Sequence, residues 1–173
     1  KLESGEVQLE AKTFCVCDLV EESVAMVEAQ TAEKALTLHR DIRCDRSDRA
    51  IGSPLHVRQV LQNLLSNAVR YNRVGGEIFL SARETARTEE TVAYEFVVRD
   101  TGVGMSEAFQ QRAFEPFAQE DAGARSSYTG TGLGLAIVKE LVEKMDGTIR
   151  LESRKGAGTT FTVCLTFTRD RQA

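Results

Sequence analysis

Residues 53–71 read SPLHVRQVLQNLLSNAVRY and form the clearest predicted helix of the chain, running to about Tyr71. Ser53 stands where a helix N-cap is preferred, and Pro54 occupies the first helical position, where proline is favoured. One side of this helix is apolar, which indicates that it packs against a core. The residues on that side are Val57, Val60, Leu61, Leu64, Leu65 and Ala68.

Polar residues line one edge of the same helix, next to the apolar side. At about 100° per residue, Asn63, Asn67 and Arg70 fall within about 60° of one another. Amide oxygens suit Mg²⁺, which takes a few hard protein ligands beside phosphate and water, and a guanidinium binds phosphate. The edge therefore indicates a metal and phosphate site. The alternative is a solvated polar edge with no ligand.

Helices and mainly antiparallel strands surround this helix in the predicted element order. We expect a helix from Asp18, as its N-cap, to about Ala35. The other expected elements are strands at 36–44, 50–52, 77–83, 92–99, 148–153 and 159–167 and helices at 106–113 and 132–145, the last closed by a glycine C-cap at 146–147. This order predicts an α+β fold: a two-layer sandwich of a mixed, mainly antiparallel sheet with helices on one face.

Composition limits the class of protein. The chain has 173 residues, of which 42% are hydrophobic and 28% charged, as expected for a single domain with a sizeable core. A net charge of −4 gives no reason to expect a nucleic-acid or membrane surface. No apolar run approaches the roughly 18 residues of a membrane span, so a cytoplasmic setting is expected. The four cysteines lack metal-site spacing and are expected to be reduced.

A second motif, Asp100-Thr-Gly102-Val-Gly104, follows the predicted strand at 92–99. A carboxylate at a strand end can accept a hydrogen bond from an exocyclic amine such as that of adenine. Glycines two and four residues later let backbone approach a flat ring closely. The alternative is a β-turn with an aspartate cap.

The third motif, Gly130-Thr-Gly132-Leu133-Gly134-Leu-Ala-Ile, leads from a long polar segment into a helix. Free amides at the positive end of such a helix bind phosphate. The spacing differs from a dinucleotide fingerprint, and the lysine of a P-loop is absent. By itself this motif is a weak signal.

Together these motifs resemble the ATP-binding domain, of the Bergerat fold, that histidine kinases share with gyrase-type topoisomerases, Hsp90 chaperones and mismatch-repair ATPases. Five segments carry the resemblance in the family's order: the N box at 63–71, the G1 box at 100–104, the F box at 114–117, the G2 box at 130–135 and the last glycine motif at 156–161. It covers about residues 13–168. It implies a tail of a truncated phosphoacceptor hairpin at 1–12, a lid at 118–131 and a C-terminal tail at 169–173.

The resemblance implies a role for each matched residue. Asn67 would bind Mg²⁺ with Asn63 assisting, and Arg70 would lie near the phosphates. Tyr71 would stack on adenine, and Asp100 would accept the hydrogen of its amino group. Gly102, Gly104 and Thr159 would help through backbone and water contacts. Gly132 and Gly134 would lie at the hinge of the lid, and the implied nucleotide-binding residues also include Gly130 and Leu133.

Two aromatic residues and one arginine belong to the implied lid region. Arg125 is the only basic residue of the lid, which makes it the candidate for the γ-phosphate. Phe114 and Phe117 are expected to anchor the lid by packing.

Asn63 indicates which branch of the family the chain resembles. ATP-hydrolysing relatives carry a glutamate at this place as general base, and an asparagine cannot take a proton from water at neutral pH. With the F box, this indicates a sensor histidine kinase catalytic domain that binds Mg-ATP. It would phosphorylate a histidine on a hairpin outside this chain, because His39 and His56 lack the acidic neighbour of the acceptor.

Partners and alternatives follow from the same resemblance. The implied partners are the histidine-bearing hairpin and a response regulator or receiver domain, with no nucleic acid, and the isolated fragment is expected to be monomeric. The alternatives are a serine kinase of the anti-sigma type and a degenerate nucleotide-binding module.

Overall fold

A computed structural model describes residues 7–118 and 134–170. Its strands are β1 (Lys12–Phe14), β2 (Thr37–Arg43), β3 (Ala50–Gly52), β4 (Glu77–Arg87), β5 (Thr91–Asp100), β6 (Thr148–Arg154) and β7 (Gly158–Arg169). Its helices are α1 (Val16–Ala25), α2 (Glu28–Glu33), α3 (Pro54–Arg70), α4 (Glu107–Gln110) and α5 (Gly134–Lys144).

The strands form one sheet in the order β1-β3-β7-β5-β4-β2, with β6 also paired to β7. The β2–β4 pair is parallel and the other pairs are antiparallel. Helices α1, α3 and α5 pack together on one face. The predicted two-layer α+β architecture is therefore confirmed.

The core lies between this helical layer and the inner face of the sheet. Strand β5 alternates buried residues with half-buried or exposed ones, and its inward side chains meet α3. The buried side chains of α3 are the six predicted ones together with Val69. This packing fixes the rotation of α3 about its axis and the position of the end of β5. These two elements carry predicted site residues.

The start of α3 is correct, but its cap differs from the expectation. Ser53 is the N-cap residue, yet its hydroxyl makes no bond to an amide of the first turn. Instead, Ser53 Oγ lies 2.6 Å from His56 Nδ1 and accepts a hydrogen bond from the Glu10 amide. The serine therefore ties the segment before β1 to the helix.

The helix expected from Asp18 to Ala35 is two helices. The N-cap is Cys15, and Asp18 lies inside the first turn of α1. The helical run breaks after Ala25, and Val27, at the N-cap of α2, is buried with 2% exposure. Burying Val27 stabilises a turn that the amphipathic pattern alone does not show.

The end of α5 also differs from the predicted glycine cap. Asp146, with φ of 60°, is the left-handed residue, while the Gly147 amide bonds the Val142 carbonyl. Aspartate tolerates this conformation better than most residues. Gly147 is required for another reason: a Cβ there would lie 2.5 Å from the Cys164 carbonyl oxygen of β7.

The expectation that all four cysteines are reduced is wrong for one pair. Cys17 of α1 and Cys44, just after β2, are joined by a disulfide with their Cα atoms 6.1 Å apart. The fold brings together two residues whose sequence spacing gives no such signal. Cys15 and Cys164 are free.

Within residues 7–118 and 134–170, no helix is both long enough and apolar enough to cross a membrane.

Candidate functional site

Asn63, Asn67 and Arg70, called here the α3 edge, are brought together by helical spacing. The two asparagines are half-buried and Arg70 is exposed. Arg70 Nη1 lies 3.4 Å from Asn67 Oδ1, so the guanidinium and the amide oxygen face the same space. The α3 edge therefore presents two amides and one cation side by side.

Asp100, the last residue of β5, is buried with 7% exposure. Its Oδ1 accepts a hydrogen bond of 2.8 Å from the Gly102 amide. Burial raises the pKa of this carboxyl to about 6, although hydrogen bonds from the Gly102 and Thr159 amides act in the opposite direction. A buried carboxylate with remaining acceptor capacity is suited to a ligand that donates a hydrogen bond.

Gly102 lies where two chain segments approach closely. A Cβ on Gly102 would be 2.3 Å from the Tyr71 carbonyl oxygen and 2.9 Å from Asp100 Oδ1. Gly104 has φ of 70°, and a Cβ on it would be 2.0 Å from the Arg154 carbonyl oxygen. Both predicted glycines are therefore required by backbone packing.

Backbone hydrogen bonds join the end of α3 to the loop after β5 and to the β6–β7 turn. The Val103 amide donates to the Tyr71 carbonyl at 3.0 Å, and the Gly156 amide donates to the Val103 carbonyl at 2.7 Å. Arg73 Nη2 also donates to the Gly156 carbonyl at 2.8 Å. We call Tyr71, Asp100, Gly102 and Thr159 the Asp100 wall: the Tyr71 carbonyl is bonded by Val103, and the Gly102 and Thr159 amides both bond Asp100.

Three residues that support this surface were not predicted from the sequence. Asn72 is buried with 1% exposure, and its side chain bonds the Glu77 carbonyl and the Arg73 amide. Ser153 Oγ contacts Gly158, Thr159 and the Met105 amide. Lys34 Nζ bonds three carbonyls at the end of α3.

Only Ser153 had a sequence signal. It is a polar residue at an inward position of β6, two residues after Leu151. Asn72 and Lys34 bond groups that the periodicity of the sequence does not connect to them.

Several predicted site residues lie outside the described part of the chain, namely Arg125, Gly130, Gly132 and Leu133. Of the predicted lid, only Ala118 is described. Gly134 is the first residue of α5, which is consistent with a glycine motif running into a helix.

The two phenylalanines of the F-box segment behave differently. Phe114 packs against the core, with its ring centroid 6.2 Å from that of Phe161. Phe117 is 69% exposed, and all of the lid that it is expected to anchor except Ala118 lies outside the described residues. Its φ of 64° lies in the left-handed region.

Comparison with known proteins places these features in a family. Residues 52–169 match the family of histidine kinase-, DNA gyrase B- and HSP90-like ATPases. The chain is 36% identical over 161 residues to the signal transduction histidine-protein kinase BarA of Escherichia coli K12. It is 37% identical over 165 residues to the circadian input-output histidine kinase CikA of Synechococcus elongatus.

These matches cover nearly all of the chain but only a part of each relative. They span 93% of this chain and 17% of BarA, and 94% of this chain and 21% of CikA. The chain therefore spans about a fifth of the length of these curated relatives.

Solved structures give the same fold. Full-length ShkA in complex with AMPPNP superposes with a TM-score of 0.76 at 25% identity, covering 94% of this chain and 32% of ShkA. The nucleotide-free catalytic domain of histidine kinase ThkA superposes with a TM-score of 0.74 at 22% identity, covering 90% of this chain and 95% of that domain.

The relatives named here favour the histidine kinase branch over the anti-sigma serine kinases considered above. The chain therefore belongs to the family of histidine kinase-, DNA gyrase B- and HSP90-like ATPases, and it is a catalytic domain of the histidine kinase type.

Proposed function

We propose that this domain binds Mg-ATP between the Asp100 wall and the α3 edge and donates the γ-phosphate to a histidine on a separate helical hairpin. The observation that carries the proposal is the buried Asp100 carboxylate, held by the Gly102 amide beside a backbone surface with no room for a side chain. The ShkA relative whose structure contains AMPPNP, an ATP analogue, supports ATP as the nucleotide.

Adenine recognition is assigned to the Asp100 wall. The ionised Asp100 carboxylate accepts a hydrogen from the exocyclic amino group of adenine. Guanine has a carbonyl oxygen at that place, so a carboxylate would face another acceptor and reject it. Gly102 allows the ring to lie against backbone, Tyr71 covers the ring, and Gly104 and Thr159 complete the site through backbone and water contacts.

The phosphate end is assigned to the α3 edge and to the glycine motif. The amide oxygens of Asn67 and Asn63 fit Mg²⁺, and the neighbouring Arg70 guanidinium fits phosphate. Asn67 is the proposed ligand, with Asn63 as a second one, and the ion when bound would neutralise phosphate charge. Amides of Gly130, Gly132, Leu133 and Gly134 and the Arg125 guanidinium are the further proposed phosphate contacts.

Phosphoryl transfer needs positioning and charge neutralisation more than covalent chemistry from the domain. A nitrogen of the acceptor imidazole attacks the γ-phosphorus, and the bond to the β–γ bridging oxygen breaks, which leaves ADP. Asn63 stands where a general base would activate water, and its amide takes no proton at neutral pH. We therefore expect little hydrolysis without the acceptor.

The acceptor hairpin and a response regulator or receiver domain are the proposed partners, and residues 1–12 are the proposed exit from the hairpin. The proposed domain is 13–168, with its lid at 118–131. A cytoplasmic location belongs to the same proposal, because the cytoplasm supplies ATP.

The proposal is tested by transfer in trans. The domain is mixed with a separately produced histidine hairpin and γ-labelled ATP, with and without Mg²⁺. We expect acid-labile label on the hairpin only when Mg²⁺ is present, and no label on a hairpin lacking its histidine. ATP binding without any transfer would instead identify a degenerate module, and label on serine would identify the anti-sigma type of kinase.

A further inference from the structure

Lys34, between α2 and β2, contacts the helix end that the proposed nucleotide site depends on. Its Nζ lies 2.9 Å from each of three carbonyl oxygens, those of Val69, Arg70 and Asn72. An ammonium has three N–H donors, so one group can serve all three acceptors. Lys34 thereby bonds two carbonyls of the last turn of α3 and the carbonyl of Asn72, two residues after the helix ends.

Two of the three acceptors, the Val69 and Arg70 carbonyls, lie at the end of α3. The last four carbonyls of an α-helix have no bond within the helix, and the negative end of its dipole favours a cation. Lys34 is half-buried, and burial lowers the pKa of its ammonium, with a smaller contribution from the Arg70 guanidinium. Holding a cation there under a desolvation cost indicates a specific role for its bonds.

The backbone of Lys34 is fixed as well. Its amide donates to the Thr31 carbonyl at 3.2 Å, and its carbonyl accepts from the Gly75 amide at 2.9 Å. The ammonium therefore projects from an anchored position instead of following the helix end.

The carbonyls bonded by Lys34 lie on both sides of Tyr71 in the chain. Arg70 precedes it and Asn72 follows it, and the Tyr71 carbonyl itself accepts from the Val103 amide. Displacing this turn would move the α3 edge and the Asp100 wall relative to each other. That relative placement is what a nucleotide spanning both would require.

We propose that Lys34 is a positioning residue of the nucleotide site: it fixes the last turn of α3 so that Arg70 and Tyr71 keep the arrangement that binds ATP. The inference rests on the proposed function. It assigns a role to a residue that makes no proposed contact with nucleotide.

The test uses three variants of the 173-residue chain. Lys34→Met removes the cation at similar length, and Lys34→Arg keeps the charge. Lys12→Met is the matched control, because Lys12 is an exposed lysine paired with Glu10 on β1, at the opposite edge of the sheet from β2. Affinities for AMPPNP and adenosine are measured by calorimetry well below each melting temperature.

We expect Lys34→Met to weaken AMPPNP and adenosine binding by about tenfold, as for lost hydrogen bonds to a charged group. Lys34→Arg should recover part of this, because a planar guanidinium fork does not match three converging carbonyls. Lys12→Met should bind as the parent does. In two-dimensional NMR spectra, the amides of Tyr71, Asn72 and Val103 should shift in Lys34→Met and stay in place in Lys12→Met.

A merely structural role gives a different result. Lys34→Met would then melt earlier and yet, once folded, bind both ligands like the parent, which would overturn the inference. If Lys34→Met does not fold, Lys34→Arg decides. Parent-like affinity with amide chemical shifts that match those of the parent would overturn the inference. Weaker binding with changed amide chemical shifts would support it. A parent chain that binds neither ligand refutes the proposed function itself, and this is visible before any variant is compared.

Discussion

The Asp100 wall and the α3 edge face the same proposed ligand but are held in different ways. The wall consists of three buried residues and the half-buried Tyr71. The Gly102 amide bonds Asp100, and the Val103 amide bonds the Tyr71 carbonyl. Within the part of the chain that the structure describes, the side chains of the α3 edge make one hydrogen bond, that from Arg70 to Asn67.

The difference indicates that the Asp100 wall is preorganised for its ligand, whereas the α3 edge would be completed by the ligand. A preorganised surface loses little freedom when it binds, so it can discriminate one base from another. Half-exposed amides and a guanidinium adapt to a charged group and its ion, which suits phosphates. Damage to the wall should therefore cost more than damage to the edge.

The largest expected loss of ATP affinity comes from adding a side chain at Gly102 of the Asp100 wall. Gly102→Ala puts a Cβ within 2.3 Å of the Tyr71 carbonyl, so backbone must move. We expect ATP affinity to fall by about 100-fold, together with a lower melting temperature. Parent-like binding by Gly102→Ala would show that the wall does not touch the nucleotide.

The next largest loss of ATP affinity is expected from replacing the hydrogen-bond acceptor, Asp100. Asp100→Asn offers a donor where the adenine amino group needs an acceptor, and the loss of a charged hydrogen bond should cost about 1.5–3 kcal/mol, or about 10- to 150-fold in ATP affinity. Discrimination between ATP and GTP should shrink with it, as measured by competition. Asp41→Asn, at an exposed aspartate of β2, serves as the control. Unchanged selectivity in Asp100→Asn would remove the adenine assignment.

The pH dependence of adenosine binding sharpens the same point, since adenosine has no phosphate to titrate. Burial raises the pKa of Asp100 to about 6. The carboxylate is thus available at pH 7 and mostly protonated at pH 5, so adenosine affinity should fall about tenfold between them. Asp100→Asn should abolish that dependence. An equally steep profile in Asp100→Asn would assign the titration to another group.

The raised pKa of Asp100 also makes the free energy of unfolding depend on pH. The pKa of Asp100 is raised from 3.8 to about 6, so the folded chain binds this proton more readily than the unfolded chain. The contribution of Asp100 to the free energy of unfolding is therefore largest below pH 3.8 and is lost as the pH rises through about 6. Denaturant titrations of the parent and Asp100→Asn at several pH values measure this difference.

The smallest expected effect lies at the α3 edge. Asn67→Ala should weaken Mg²⁺-dependent ATP binding by about fivefold, or about 1 kcal/mol, because water can replace one ligand of several. Binding without Mg²⁺ and the melting temperature should change little, since Asn67 is only half-buried. Ser66→Ala, one residue earlier on the same helix, is the control. A loss as large as that of Gly102→Ala would contradict the contrast between the two regions.

The sequence predicts those parts of the molecule that rest on local patterns. The apolar stripe of α3 fixes its buried face, and β3 matches the predicted strand over 50–52 residue for residue. Asp100 and its glycines follow from the chemistry of a short motif. The edge strand β1 was missed because three residues, Lys12–Phe14, are too few to show a period of two.

What the sequence does not reveal are contacts made across the fold. Lys34 reaches the Asn72 carbonyl over 38 residues, and Cys17 pairs with Cys44 over 27. The glycine expected to cap α5 is needed for its contact with β7, a tertiary reason that a local rule cannot supply. Of these contacts, that of Lys34 lies at the candidate site, and only the folded chain shows such contacts.

The most direct test of the central claim is calorimetric titration of the 173-residue chain with ATP, with and without Mg²⁺, beside GTP. The account predicts Mg²⁺-dependent, adenine-selective binding with no steady turnover. No ATP binding, or equal binding of GTP, would contradict the roles given to Asp100 and the α3 edge. Steady hydrolysis of ATP would contradict the role given to Asn63.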